Sequence, residues 1–149
     1  MKNLNHKNTV IFGIGNSARQ DDGLGWAFLD EIQEKESFKG QLHYCYQLNI
    51  EDAELVANAE KVLFADAYAD DLPEGYKIEK CKTDGKISYT THALEPEAIL
   101  ALAESVYGKK PEAYILKIKG YKWELEEGIS RSAKKNLSAA INCFSEISK

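Results

Sequence analysis

The chain has little cysteine. Its 149 residues include three, Cys45, Cys81 and Cys143, which are widely spaced, odd in number and without a CxxC pair. That excludes a zinc ribbon and a disulfide framework. Cys45 and Cys143 sit among apolar neighbours and read as buried core thiols. Positive charge is also short, with 19 Lys and Arg against 24 Asp and Glu, a net charge of −5. A nucleic-acid or anionic-membrane surface would need a basic patch, so neither partner is expected. No apolar run approaches the length of a membrane span. The stretch from Met1 to Asn8 is polar and has no apolar signal core. Repeats, low-complexity segments and linkers are missing too. These absences predict one soluble, cytoplasmic domain covering residues 1–149.

What is present suits a globular core. Hydrophobic residues make up 44% of the chain and charged residues 29%, an ordinary balance for one domain. Thr9–Ile14 is a continuous apolar run ending at glycine, the pattern of a strand buried on both faces. From Leu24 the spacing becomes helical, with Leu24, Ala27, Phe28 and Ile32 on one face. Asp21 or Asp22 is placed to cap that helix. Gln41–Gln47 alternates as a second strand. A short helix should follow through about Asn58, capped by Asn49. Val62–Ala65 reads as a third, buried strand and Tyr76–Lys82 as a more exposed edge strand. After a polar loop over Thr83–Thr91, Pro96 opens a helix that ends near Gly108, with Ile99, Leu102, Ala103 and Val106 facing inward. Ala113–Ile118 is the next strand. Ser130 caps a last helix with Ala133, Leu137, Ala140, Ile141 and Phe144 on its buried face. Strands alternating with helices predict a three-layer α/β/α sandwich around a mostly parallel sheet.

The chemistry concentrates in three places. Gly13-Ile-Gly15-Asn-Ser-Ala18 fits a dinucleotide-binding fingerprint in outline. Yet Asp21 and Asp22 stand at the helix start, where a pyrophosphate would have to sit and would be repelled. The second strand also lacks the acidic residue that would hold a ribose. The glycines are better explained by a tight turn. Asp66 ends an apolar strand, where a carboxylate is costly to bury without a partner. Its bland role is a strand-end bond to loop amides. His92 stands in a polar loop just ahead of Pro96, where a lone histidine is ordinarily exposed. Carboxyl ends of first and third strands are neighbours in many doubly wound sheets. If Asp22, Asp66 and His92 converge, they form a one-histidine, two-carboxylate set for a borderline divalent ion. Arg19 can pair with Asp21 or reach a substrate, and Asn16 can brace the turn. Tyr44, Tyr46 and Trp123 read as packing residues, His6 as solvated and His43 as structural.

These three motifs, in this order, resemble the hydrogenase maturation endopeptidases. The resemblance rests on Gly13-Ile-Gly15-Asn16 with Asp21-Asp22-Gly23-Leu-Gly25, on Ala65-Asp66-Ala67 and on Thr91-His92. Glu127-Gly-Ile-Ser130 is a weaker late match. The resemblance implies an endopeptidase that removes the C-terminal peptide of a [NiFe]-hydrogenase large-subunit precursor after nickel insertion. It implies that Asp22, Asp66 and His92 contact the nickel, which the precursor carries. It also implies that Asp22 and Asp66 are the catalytic carboxylates. The peptide bond could be attacked with help from the metal or from a carboxylate acting as base.

Two other readings stand beside this one. One is a non-catalytic metal- or peptide-binding module on the same fold, separable from a protease by a cleavage assay. The other is a nucleotide-binding enzyme built on Gly13–Ala18, which NAD or ATP would stabilise against heat. Ser17 and Ser130 have no histidine in a triad-like context, so a serine nucleophile is not expected.

Overall fold

The computed structural model describes residues 3–35, 37–83 and 94–148. Five strands, β1 (Thr9–Ile14), β2 (Gln41–Cys45), β3 (Lys61–Tyr68), β4 (Tyr76–Lys80) and β5 (Glu112–Lys119), form one sheet in the order β2-β1-β3-β5-β4. All pairings are parallel except that of β4, which runs antiparallel along β5 as an edge strand. The helices are α1 (Leu24–Lys35), α2 (Asp52–Ala57), α3 (Pro96–Tyr107) and α4 (Arg131–Ile147). The predicted α/β/α sandwich is therefore the observed one.

Alternation along the strands divides the core in two. Ile11 and Leu63 pack with α1 and α4, where Phe28, Ile32, Leu137 and Phe144 are buried. Val10, Phe12, Val62 and Phe64 face the other way, against α2 and α3. Such two-sided burial is what makes the first and third strands read as unbroken apolar runs. Each large side chain taken fully out of water contributes on the order of 1.5–3 kcal/mol.

β3 extends beyond the apolar run. Asp66, Ala67 and Tyr68 stay extended because each pairs with β5, opposite Lys117, Ile118 and Lys119. β2 stops at Cys45, two residues short of the expected Gln47. The inward face of α3 also ends early: Ala103 is buried, while Val106, in the next turn, is 64% exposed. Gly108 closes that helix in the left-handed conformation, φ 67°, a position that favours glycine.

Three local expectations need correction. Neither Asp21 nor Asp22 caps α1. A kinked 3-10 segment, Ser17–Gly23, runs straight into it, and its own cap is Asn16, whose side chain accepts from the Ala18 N–H. Asn49 does not cap α2 through its side chain. Instead the Asp52 carboxylate accepts from the Asn49 N–H at 2.8 Å. Among the cysteines Cys81 is the buried one, and Cys45 and Cys143 are only half-buried. The polar loop over residues 84–91 lies outside the described residues. Among the described residues no helix is long and apolar enough to cross a membrane.

Candidate functional site

The direction of the chain reverses between β1 and β3. From β1 it passes through α1 to β2 on one side. It then returns through α2 to β3 on the other. Ligands in open α/β sheets sit at the carboxyl ends of strands at such a switch point. Ile14, the last residue of β1, is in register with Asp66 on β3. The sequence neighbours that suggested a site are thus adjacent across the sheet.

Asp22 is brought there by the glycine turn. Gly15 has φ +146°, and a Cβ on it would lie 2.0 Å from the Asp22 carbonyl oxygen. Only glycine permits that approach. The same oxygen accepts from the Asn16 N–H at 3.1 Å. A second glycine, Gly25 in α1, sits so close to the sheet that a Cβ would be 2.5 Å from the Ala65 carbonyl oxygen and 2.6 Å from that of Ile14. The helix is therefore pressed onto the strand ends, and Asp22 is held over them.

Asp66 shares its strand face with Val62 and Phe64, the face covered by α2 and α3. It consequently looks toward the start of α3. Asp22, Asp66 and Glu95 line one cavity of about 260 Å³ together with Tyr46, Gln47 and Leu94. Among the described residues none of the lining side chains is basic. One wall is closed by a backbone bridge between Leu48 and Leu94. A larger hollow of about 500 Å³ lies at the amino end of β5, beside Lys80, Lys82 and Lys110, away from these carboxylates.

The electrostatics follow from this enclosure. Burial raises the Asp66 pKa, the Ala67 N–H at 2.8 Å opposes it, and the charges of Asp22 and Glu95 add to the rise, which reaches about 7. Asp66 is half-buried and lines the cavity. Burial also raises the Asp22 pKa, against the pull of the Arg19 guanidinium. Crowded carboxylates of this kind attract a cation, which relieves both the burial and the mutual repulsion. The nearby Cys45 thiol is pushed up to about 12 by burial and by Asp52 and Asp66, so it is no thiolate nucleophile.

Asp21 faces the other way. It is fully buried and accepts from the N–H groups of Tyr121, Lys122 and Ser130 and from the Ser130 hydroxyl. Burial alone would raise its pKa, but these donors together hold it below the usual carboxylate value. It ties the turn to the loop 120–130 and to the start of α4. It makes no pair with Arg19, whose charge bears on Asp22.

Asn16 braces the turn, and the Trp123 ring lies against Gly120. His43 sits 3.4 Å from Asp52 and edge-on to Phe12, a structural position. His6 accepts from the Asn8 N–H. Tyr46 lines the cavity although it was expected only to pack. His92 lies outside the described residues; Leu94, the second residue after it, is in the cavity wall. Among the described residues no three His, Cys, Asp or Glu side chains are grouped to hold a metal ion. Glu95 was missed. It occupies the cap position of α3, where serine, threonine or aspartate is usual, and its side chain makes no capping bond.

No protein-family model matches the chain, and no curated protein does. Solved structures do. A [NiFe] hydrogenase maturation protease, HycI from Thermococcus kodakarensis, is 22% identical, with 95% of this chain and 92% of that one covered at a TM-score of 0.72. The hydrogenase maturating endopeptidase HybD from E. coli is 15% identical, with 92% and 89% covered at 0.67. A hydrogenase 2 maturation peptidase from a Thaumarchaeota archaeon is 20% identical, with 94% and 97% covered at 0.62. At these identities the shared property is the fold, and the fold of this chain is that of the hydrogenase maturation endopeptidases.

Proposed function

We propose that this chain is an endopeptidase that removes the C-terminal peptide of a [NiFe]-hydrogenase large-subunit precursor after nickel insertion. The observation that carries the reading is the meeting of Asp22 and Asp66 in one cavity with no basic side chain among its described lining residues, at the switch point of a sheet with the maturation-protease fold. In this reading the protein works in the cytoplasm and neither nucleic acid nor membrane takes part.

The nickel belongs to the precursor and arrives with it. Asp22 and Asp66 supply two carboxylates, and His92 is the third ligand by resemblance. Two or three protein groups are few for an ion that binds alone and enough for one already held by thiolates or other groups of the precursor. Entry of the ion favours the ionised form of Asp66. Water attacks the peptide bond, activated either by the ion or by one of the two carboxylates, which takes its proton and passes it to the leaving amine.

The test is the intact mass of a nickel-loaded large-subunit precursor from the same organism after incubation with this protein, with nickel-free precursor as control. Nickel-dependent loss of a C-terminal peptide is the expected result. An unchanged mass for a precursor that binds the protein would overturn the protease and leave a binding module.

A further inference from the structure

The two edges of the sheet differ. β4 carries Lys77, Glu79 and Lys80, and Glu79 bridges to Lys77 and Lys117. Charges of this kind discourage another strand from adding. β2, Gln41-Leu-His-Tyr-Cys45, has no lysine, carboxylate or proline. It pairs with β1 on one side, and among the described residues no strand covers the other.

The outward backbone groups can be assigned. The Cys45 carbonyl accepts from the Gly15 N–H at 3.0 Å, so Cys45 turns its backbone toward β1. Successive strand residues present their N–H and C=O to alternate edges. Leu42 and Tyr44 therefore present theirs outward. The chain then passes directly into the site, because Tyr46 and Gln47 line the cavity with Asp22 and Asp66. An aromatic ledge marks the junction. Tyr46 is 70% exposed and its ring centre is 5.2 Å from that of Trp26. Trp26 is fixed by donating to the Cys45 carbonyl at 3.0 Å.

We propose that β2 is the substrate-docking edge: an extended segment of the precursor, next to the bond to be cut, adds alongside β2. Its backbone bonds to Leu42 and Tyr44, an apolar side chain rests on the Trp26–Tyr46 ledge, and the chain is led into the cavity. Strand addition draws affinity from main-chain bonds and selectivity from side-chain contacts. An endopeptidase must hold its substrate extended, and this edge is continuous with the carboxylates. The proposal rests on the protease reading above.

The test is amide hydrogen exchange of the full chain, free and with the nickel-loaded precursor, alongside the cleavage assay. At least tenfold slower exchange at Leu42 and Tyr44, with the β4 edge unchanged, is the expected result. Cleavage without protection at β2 overturns the docking edge and leaves the protease. Protection without cleavage keeps the edge and removes the protease. Neither binding nor cleavage overturns both. Tyr44→Pro gives a second measurement, since it deletes an outward N–H and leaves the ladder to β1 intact. It should raise KM about tenfold with kcat little changed, and Tyr44→Ala, which keeps the N–H, should raise KM less. Equal effects of the two variants would overturn main-chain docking.

Discussion

Asp21 is joined to Ser130 twice: Oδ1 accepts from the backbone N–H and Oδ2 from the hydroxyl, each at 2.7 Å. The residues are far apart in the chain, and this pair fastens the turn below the site to the first turn of α4. The Tyr121 and Lys122 N–H groups complete the shell at 2.7 and 3.0 Å. Replacing Asp21 by alanine strands these donors around a void. Asp21→Ala should therefore lose about 3–5 kcal/mol of stability, the usual result of breaking a buried charged network. Ser130→Ala should lose roughly 1–2 kcal/mol, because it removes one of those bonds and the α4 cap together. Urea denaturation of both variants measures the difference. The Asp21 pKa is lowered from 3.8 on folding. Its contribution is complete above that value and is lost as pH falls through the folded pKa.

Asp66 works in the opposite sense. Its pKa rises from 3.8 to about 7 on folding. Between those values the folded protein keeps a proton that the unfolded chain has released, so stability falls as pH rises through the window and stays low above it. Asp66→Asn removes the titration and keeps an oxygen to accept from Ala67. It should stabilise the protein at pH 8 by about 2 kcal/mol, below a ceiling of roughly 4 kcal/mol, because Asp66 is only half-buried and solvent screens it. Near pH 4 the variant and parent should agree. Thermal melts across this range check it, and a pH-independent difference would refute the assignment.

The raised pKa of Asp66 has named sources beyond burial. Asp22 contributes more than Glu95. Neutralising either neighbour without changing its shape should lower the Asp66 value, and Asp22→Asn should lower it more than Glu95→Gln. Carboxyl-carbon NMR titration reads this directly. If Glu95→Gln leaves Asp66 unmoved, Glu95 does not share its cavity in solution.

Much of this is legible in the amino-acid sequence, and the reasons are physical. Buried strands such as Thr9–Ile14 and the inward face of α4 announce themselves because water excludes apolar side chains at a fixed period. Asp66 was conspicuous because a carboxylate ending an apolar strand needs a reason. The partners of Asp21 were not legible, since the donors from Tyr121, Lys122 and Ser130 are backbone and hydroxyl groups of a polar loop, joined across about a hundred residues of chain. Glu95 was hidden for a different reason. An exposed glutamate before a proline-started helix looks like surface until the fold turns it toward Asp66.

The division of labour between the adjacent aspartates leads to the last prediction. Asp21 is consumed by structure, whereas the Asp22 carboxylate lines the cavity and is raised in pKa by burial. Removing a group that is costly to keep charged does not weaken the fold. Asp22→Asn should melt within about 1 kcal/mol of the parent in stability, the range of a change that breaks no buried network. If Asp22 meets the precursor's nickel, the same variant should lose nickel-dependent processing by at least a hundredfold, read by intact mass. His92→Ala should behave likewise, as the resemblance implies. Asp21→Ala supplies the contrast, losing stability first and processing only as a consequence. Should Asp22→Asn unfold the protein as Asp21→Ala does, the carboxylate is structural. If it melts normally and still processes the precursor, Asp22 stands in the cavity without acting there.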